Sequence, residues 1–261
     1  MIPAVIPPLT GLSVLVTRPL QQSERLAANI REQGGEAHLL PAIEIVPLVA
    51  QITGLFDLIV FISVHAVEHG APLMIRGEAT RIAAIGTATA SALEAAGLPA
   101  NIVPAQGFTS ESLLAHPDLG VGANSRVLIV RGRGGRELLQ ETFSAQGCVV
   151  ETLEVYERIL PALDPARLDE LEMLWVSGEI NVVTVTSVET LENLRALLSD
   201  RGNACLASTP LVVPSARIAI AAKELGITGD CIVASGADDQ SIVTALARWH
   251  ARARVSSIVA N

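Results

Sequence analysis

The sequence predicts an α/β protein of two similar lobes, each a doubly wound parallel sheet. Three observations predict it. Three strand-then-helix units each occur twice, in the same order. S-V-L-V-T-R-P around Val14 returns as R-V-L-I-V-R-G around Val127. F-D-L-I-V-F-I-S-V (Phe56 to Val64) returns as I-N-V-V-T-V-T-S-V (Ile180 to Val188). A-A-I-G-T-A-T-A-S-A-L-E-A-A-G, ending at Gly97, returns as L-V-V-P-S-A-R-I-A-I-A-A-K-E-L-G, ending at Gly226. The second observation is the strict alternation of strand and helix, which favours parallel sheets with crossover helices. The third is composition: half of the 261 residues are apolar but only 3% aromatic, so Ala, Leu and Val must fill the cores. Small aliphatic packing suits strands covered on both faces.

Val14 to Thr17 is a short apolar strand, ended by Arg18-Pro19. Gln22 to Gln33 has helical spacing, with Leu26, Ala27 and Ile30 on one face, and closes at Gly34-Gly35. Ala37 to Leu40 returns as a strand. Leu58 to Ile62 is a buried strand, followed by a helix that starts at Ser63. Arg81 to Ile85 is a strand, Gly86-Thr87 a turn, and Thr89 to Ala96 a helix capped by Gly97. Asn101 to Val103 is read as a further strand and Ser110 to Leu114 as a helix start, after which the cycle restarts at Arg126. Two extended segments, within 43–51 and 151–160, are candidate linkers between the lobes. Arg248 to Asn261 reads as the end of a helix and a frayed tail.

The net charge of −9 argues against a general nucleic-acid binder. An anionic small molecule would need local donors: a few Arg side chains and backbone N–H groups at helix starts. No run of about 20 apolar residues suggests a membrane span, and the Pro-rich N-terminus does not resemble a signal peptide. Cys148, Cys205 and Cys231 form neither a zinc pattern nor a disulfide framework. His38, His65, His69, His116 and His250 lack metal-ligand spacing with carboxylates; His65 reads as a solvated side chain. A cytoplasmic monomer with no metal site is expected.

Ligands of open parallel sheets bind beyond the carboxyl ends of the strands. The residues to inspect are therefore Thr17-Arg18, Ser63, Gly86 to Thr89, Arg131-Gly132, Ser187, and Pro214 to Arg217. Ser63 and Ser187 occupy equivalent places in the two copies, each poised to cap a helix. Arg18 and Arg131 are also equivalent and would suit carboxylates by bidentate pairing; the plainer alternative is an Arg paired to a helix acid. Arg133 and Arg136 lie in G-R-G-G-R, which lacks the spacing of a P-loop or a dinucleotide fingerprint. Ser215 reads as a cap, and Arg217 as a further anion anchor.

These same positions carry a resemblance. V-L-V-T-R-P at Val14, L-P-A-I-E-I at Leu40, F-I-S-V-H-A-V at Phe61, I-G-T-A-T-A at Ile85, S-E-S-L-L at Ser110, V-R-G-R-G-G-R at Val130, V-Y-E-R at Val155, T-S-V at Thr186 and S-A-R-I-A at Ser215 stand in the order found in uroporphyrinogen-III synthases. The resemblance implies two lobes of crossed connectivity. Lobe 1 would be 1–42 with 161–261, lobe 2 would be 52–150, and 43–51 and 151–160 would be the linkers. The substrate implied is hydroxymethylbilane, a linear tetrapyrrole with eight carboxylates, which loses its hydroxyl and closes with its last pyrrole ring inverted. The only protein partner suggested is a transient encounter with hydroxymethylbilane synthase; no nucleic acid, membrane or cofactor is implied.

By the same resemblance Tyr156, the only Tyr in the chain, is the candidate proton donor. Arg18, Ser63, Gly86, Thr89, Arg131, Gly132, Ser187, Ser215 and Arg217 are the candidate substrate contacts. The chain departs from the family pattern at His65, where many members have Asn, and at Ser215 and Arg217, where others carry a Thr pair. A different class of reading is a non-catalytic two-lobed binding or regulatory protein. A flavodoxin-like nucleotide binder is weakened by the missing Gly-rich fingerprint and by the scarcity of aromatics to stack on a ring.

Overall fold

The structure, a computed structural model, describes residues 6–75, 77, 79–107 and 109–259, with side chains as far as residue 254. Two compact units divide the chain: residues 1–44 with 160–261, and residues 45–159.

The first unit holds a five-stranded sheet in the order β10-β9-β8-β1-β2. Its strands are β1 (Ser13–Val16), β2 (Glu36–Leu39), β8 (Val182–Thr184), β9 (Leu211–Val213) and β10 (Cys231–Val233), and every pairing is parallel. Successive side chains on a strand point to opposite faces, so each strand feeds two cores. Leu15, Val183, Leu211 and Val213 pack against α6 (Pro165–Val176), α7 (Val188–Leu197), α8 (Asp200–Ser208) and α9 (Ala216–Glu224). Val14, Val16, Val182 and Val212 pack against α1 (Leu20–Glu32) and α10 (Asp239–Val259). The helical spacing of Leu26, Ala27 and Ile30 buries all three on α1. Two polar contacts tie down the α6–α8 side. Trp175 donates its indole N–H to Thr209 Oγ1 at 2.9 Å. Glu172, fully buried, accepts from the Ser199 N–H at 2.8 Å and from the Ser199 hydroxyl.

The second unit holds a sheet in the order β3-β7-β6-β4-β5. Its strands are β3 (Glu44–Pro47), β4 (Leu58–Phe61), β5 (Arg81–Ala84), β6 (Arg126–Gly132) and β7 (Val149–Ile159), with β4, β5, β6 and β7 parallel. Ile59, Phe61, Leu128 and Val130 face α2 (Val64–Gly70) and α3 (Thr87–Ala95). Leu58, Val60, Val127 and Ile129 face α4 (Ser110–Leu114) and α5 (Leu138–Ala145). The repeat is thus a repeat of architecture. Gly97 ends α3 and Gly226 ends α9, both in the left-handed region at φ 73° and 86°, where a glycine costs least.

Several elements differ from the sequence reading. Residues 151–160, read as an extended linker, belong to β7 as far as Ile159; β7 is an eleven-residue strand paired with β6 from Val149 to Tyr156, and the two units divide at its end, between Ile159 and Leu160. Residues 43–51 likewise contain β3, which lies beside β7. Asn101 to Val103 is not a strand: Ile102 makes one isolated parallel bridge to Ala83. Helix α10 continues to Val259 where a frayed tail was expected, and residues 260–261 lie outside the described residues. Among the described residues no helix is long and apolar enough to cross a membrane.

Candidate functional site

Parallel strands bring their carboxyl ends to one edge of each sheet, and the candidate residues follow. In the second unit, Ser63 follows β4, Gly86 follows β5, and Arg131 and Gly132 end β6. Tyr156 lies on β7 directly across from Gly132, because the β6–β7 register slips between Arg131 and Gly132. In the first unit, Arg18 follows β1, Ser187 follows β8, and Ser215 and Arg217 follow β9.

Tyr156 is the centre of the second unit's set. Its ring is 2% exposed and joins the core formed by Phe61, Ala66, Val67, Val130 and Val155. The ring lies against the Gly132 backbone: a Cβ at Gly132 would fall 2.5 Å from Tyr156 Cζ and 3.0 Å from its hydroxyl. The Arg133 N–H donates to the Tyr156 carbonyl at 2.7 Å, which fixes the backbone on the other side. The hydroxyl meets Ser63 Oγ at 3.1 Å. Ser63 in turn caps α2, accepting from the Ala66 N–H at 3.0 Å.

Two histidines complete the surroundings of Tyr156. The His65 ring stands edge-on to it, with centroids 5.6 Å apart, and His69 is tilted at 6.2 Å. His65, expected to be solvated, is only 16% exposed at its side chain, and its Nδ1 lies 2.7 Å from Glu68 Oε2. The i, i+4 spacing of His65 and His69 on a helix was the available signal, but only the long strand β7 could bring the ring of Tyr156 to that face. Thr89 is buried on α3, with Gly86 as the extended residue before that helix.

The two arginines expected to bind carboxylates are engaged within the fold. Arg131 is buried and donates to carbonyls of its own loop: Gly132 at 3.2 Å, Arg136 at 3.3 Å, and Gly134. It shapes the G-R-G-G-R loop, whose Gly134 and Gly135 take positive φ. Arg133 is paired with Glu154 and Glu157, and Arg136 with Glu111. Arg18 is 3% exposed; Nη1 donates to Asp239 Oδ1 and Nη2 to the Ala237 carbonyl, each at 2.5 Å. Burial lowers the Arg18 pKa from its ordinary value, and the Asp239 carboxylate opposes that shift. Sequence reasoning missed Asp239, which opens α10 far along the chain from Arg18.

Ser187 caps α7 as expected, accepting from the Thr190 N–H at 3.0 Å. Ser215 occupies the capping position of α9, but its side chain makes no capping hydrogen bond. Arg217 is exposed in the first turn of α9. The three cysteines are free. Desolvation pushes the thiols of Cys148 and Cys231 above their ordinary range, so neither is primed as a thiolate. Among the described residues no group of three or more His, Cys, Asp or Glu is arranged to hold a metal ion.

The arrangement around Tyr156 can donate a proton, and the first turn of α9 can meet an anion. Comparison with known proteins narrows the chemistry. The profile of the family described as Uroporphyrinogen-III synthase HemD matches residues 24–244. Uroporphyrinogen-III synthase of Escherichia coli (strain K12) is 35% identical over 249 residues, covering 90% of this chain and all of that protein. The enzyme of Synechococcus elongatus is 30% identical and covers 74% of this chain and 76% of its own length. Among solved structures, uroporphyrinogen-III synthetase from Helicobacter pylori superposes with a TM-score of 0.58 at 13% identity, over 89% of this chain and 97% of that one. A mutant uroporphyrinogen III synthase from Thermus thermophilus gives 0.57 at 19% identity, over 94% and 99%. At such identities the solved structures speak for the fold alone.

Proposed function

Since this chain belongs to the uroporphyrinogen-III synthase family, we propose that it closes hydroxymethylbilane into uroporphyrinogen III, inverting the last pyrrole ring and losing water. The observation that carries the reading is the extent of the match, which reaches into both units: the family profile spans residues 24–244 and a 35% identical relative covers 90% of the chain. The substrate can ionise by itself to a reactive azafulvene. The protein's main task is then to hold the linear chain so that inverted closure outruns simple closure, which is catalysis by positioning and by stabilising one transition state over another.

In this reading Tyr156 supplies the proton to the departing hydroxyl. Arg217 meets a carboxylate of the substrate, while Arg18 and Arg131 shape the fold around the strand ends. Ser187 and Ser215 stand with Arg217 at the strand ends of the first unit, and Gly86, Thr89 and Gly132 with Tyr156 at those of the second, as further substrate contacts. The chain acts as a cytoplasmic monomer, without a metal or organic cofactor, on a linear tetrapyrrole handed over transiently by hydroxymethylbilane synthase.

The test is an assay with freshly generated hydroxymethylbilane, in which the two uroporphyrin isomers are separated after oxidation. An excess of isomer III over the enzyme-free control is expected. Only isomer I from the folded protein would leave the binding or regulatory reading in its place. Tyr156→Phe is expected to lower kcat by about 100-fold, the low end for a positioned general acid, because the leaving group is already labile. Unchanged turnover would remove Tyr156 from the mechanism.

A further inference from the structure

Tyr156 is poorly placed to protonate a substrate by direct contact. Its ring is 2% exposed and packed in the core of the second unit. Its hydroxyl is held at 3.1 Å from Ser63 Oγ, and Gly132 leaves the ring no room to swing towards β6, since a Cβ there would already stand 2.5 to 3.0 Å from ring and hydroxyl atoms. Ser63 is half-buried, so it reaches both Tyr156 and the outside of the unit.

The hydrogen-bond inventory of Ser63 accommodates a directed chain in which Tyr156 donates. A serine hydroxyl has two acceptor lone pairs and one hydrogen. The Ala66 N–H occupies one lone pair at 3.0 Å. If the Tyr156 O–H occupies the other, the serine's own hydrogen is left to donate outward. We propose that Ser63 relays the proton of Tyr156 to the leaving hydroxyl of the substrate; the inference rests on the reading of Tyr156 as the proton donor.

The step balances. Ser63 O–H transfers its proton to the hydroxyl oxygen as the C–O bond breaks, and the bonding pair leaves with that oxygen as water. In the same motion the Tyr156 proton moves onto Ser63 Oγ. The substrate becomes an azafulvenium cation and Tyr156 a phenolate. After ring closure, the pyrrole carbon that formed the new C–C bond loses its proton, and its C–H pair restores the aromatic ring. That proton returns through Ser63 to Tyr156. One water is lost and both hydroxyls are restored, with no external acid consumed.

The variant that separates relay from helix cap is Ser63→Asn. Asn caps helices as well as Ser does, and its amide can accept from Ala66 but does not surrender a proton. Ser63→Asn is expected to fold with an unchanged melting temperature and to lose about 100-fold in kcat, as expected for a general acid, with KM little altered. Ser63→Thr, which keeps the hydroxyl, is expected to retain most of the rate. The double variant Ser63→Asn with Tyr156→Phe is expected to be no slower than the slower single variant, because both remove one proton path. A slow Tyr156→Phe beside a full-speed Ser63→Asn would overturn the relay and leave Tyr156 as the donor. Full speed in both would overturn the Tyr156 reading itself. Multiplying losses in the double variant, or a Ser63→Thr as slow as Ser63→Asn, would also overturn the relay. Should Ser63→Asn fail to fold, Ser63→Gly tests the same point, since Gly is tolerated at a cap nearly as well as Ser.

Discussion

Asp239→Ala is expected to destabilise the first unit by about 3–5 kcal/mol, the cost of stranding a buried charge by removing its partner. Arg18 is 3% exposed and makes side-chain hydrogen bonds to Asp239 and to the Ala237 carbonyl, while its Nε is buried without a partner. Truncating Asp239 leaves a desolvated guanidinium with the Ala237 carbonyl as its hydrogen-bond acceptor and the Asp238 carboxylate only as a nearby charge. Urea unfolding followed by tryptophan fluorescence reads the effect in the right unit, because Trp175 and Trp249 both belong to it. The midpoint should fall sharply for Asp239→Ala. It should recover in part for Asp239→Ala combined with Arg18→Met, which removes the stranded charge as well. An unchanged midpoint for Asp239→Ala would show that the pair does not hold the fold together. The contrast is Glu157→Gln in the second unit: the Arg133–Glu157 pair is exposed at its arginine end, and its loss should cost no more than about 1 kcal/mol.

That prediction also shows where sequence reading stops. Arg18 and Arg131 stand in equivalent copies of one repeat and are indistinguishable as letters. Their environments differ because Asp239, 221 positions from Arg18, reaches one of them, whereas the other turns back on a glycine loop of its own. Strand identity was more legible. Leu58 to Phe61 and Arg126 to Gly132 are apolar runs with two buried faces, and periodicity finds such strands directly. The segment 151–160 reads as extended from its letters alone, without a sheet partner. Its polar–apolar alternation is what a strand with one covered face produces; in β7 Leu153 and Val155 turn inward on that period, and Tyr156 joins them at the register slip. The proximity of Tyr156 to Ser63 was out of reach, because it depends on a one-residue slip between β6 and β7. Family motifs pointed to Tyr156 as a functional residue; only the folded arrangement shows it buried behind a serine.

The slip at Gly132 supplies the second large expected effect. Gly132→Ala is expected to lose activity to the same degree as Tyr156→Phe, about 100-fold in kcat, and to cost about 1–3 kcal/mol in stability through overpacking. The reason is contact rather than backbone strain. The new methyl would stand 2.5 Å from Tyr156 Cζ, 2.7 Å from Cε2 and 3.0 Å from the hydroxyl. The ring must yield, because the β6 backbone at Gly132 is bonded into the sheet and the Tyr156 carbonyl is held by the Arg133 N–H. Moving the ring carries the hydroxyl away from Ser63, so a single methyl group breaks the proton path. Two measurements separate this from general damage. Far-UV circular dichroism should show the sheet and helices retained. Tyr156 is the only tyrosine in the chain, so selective labelling gives one tyrosine signal in NMR, and that signal should shift. Wild-type turnover in a folded Gly132→Ala would mean that the position of the Tyr156 hydroxyl is immaterial, and both the donor and the relay would fall with it.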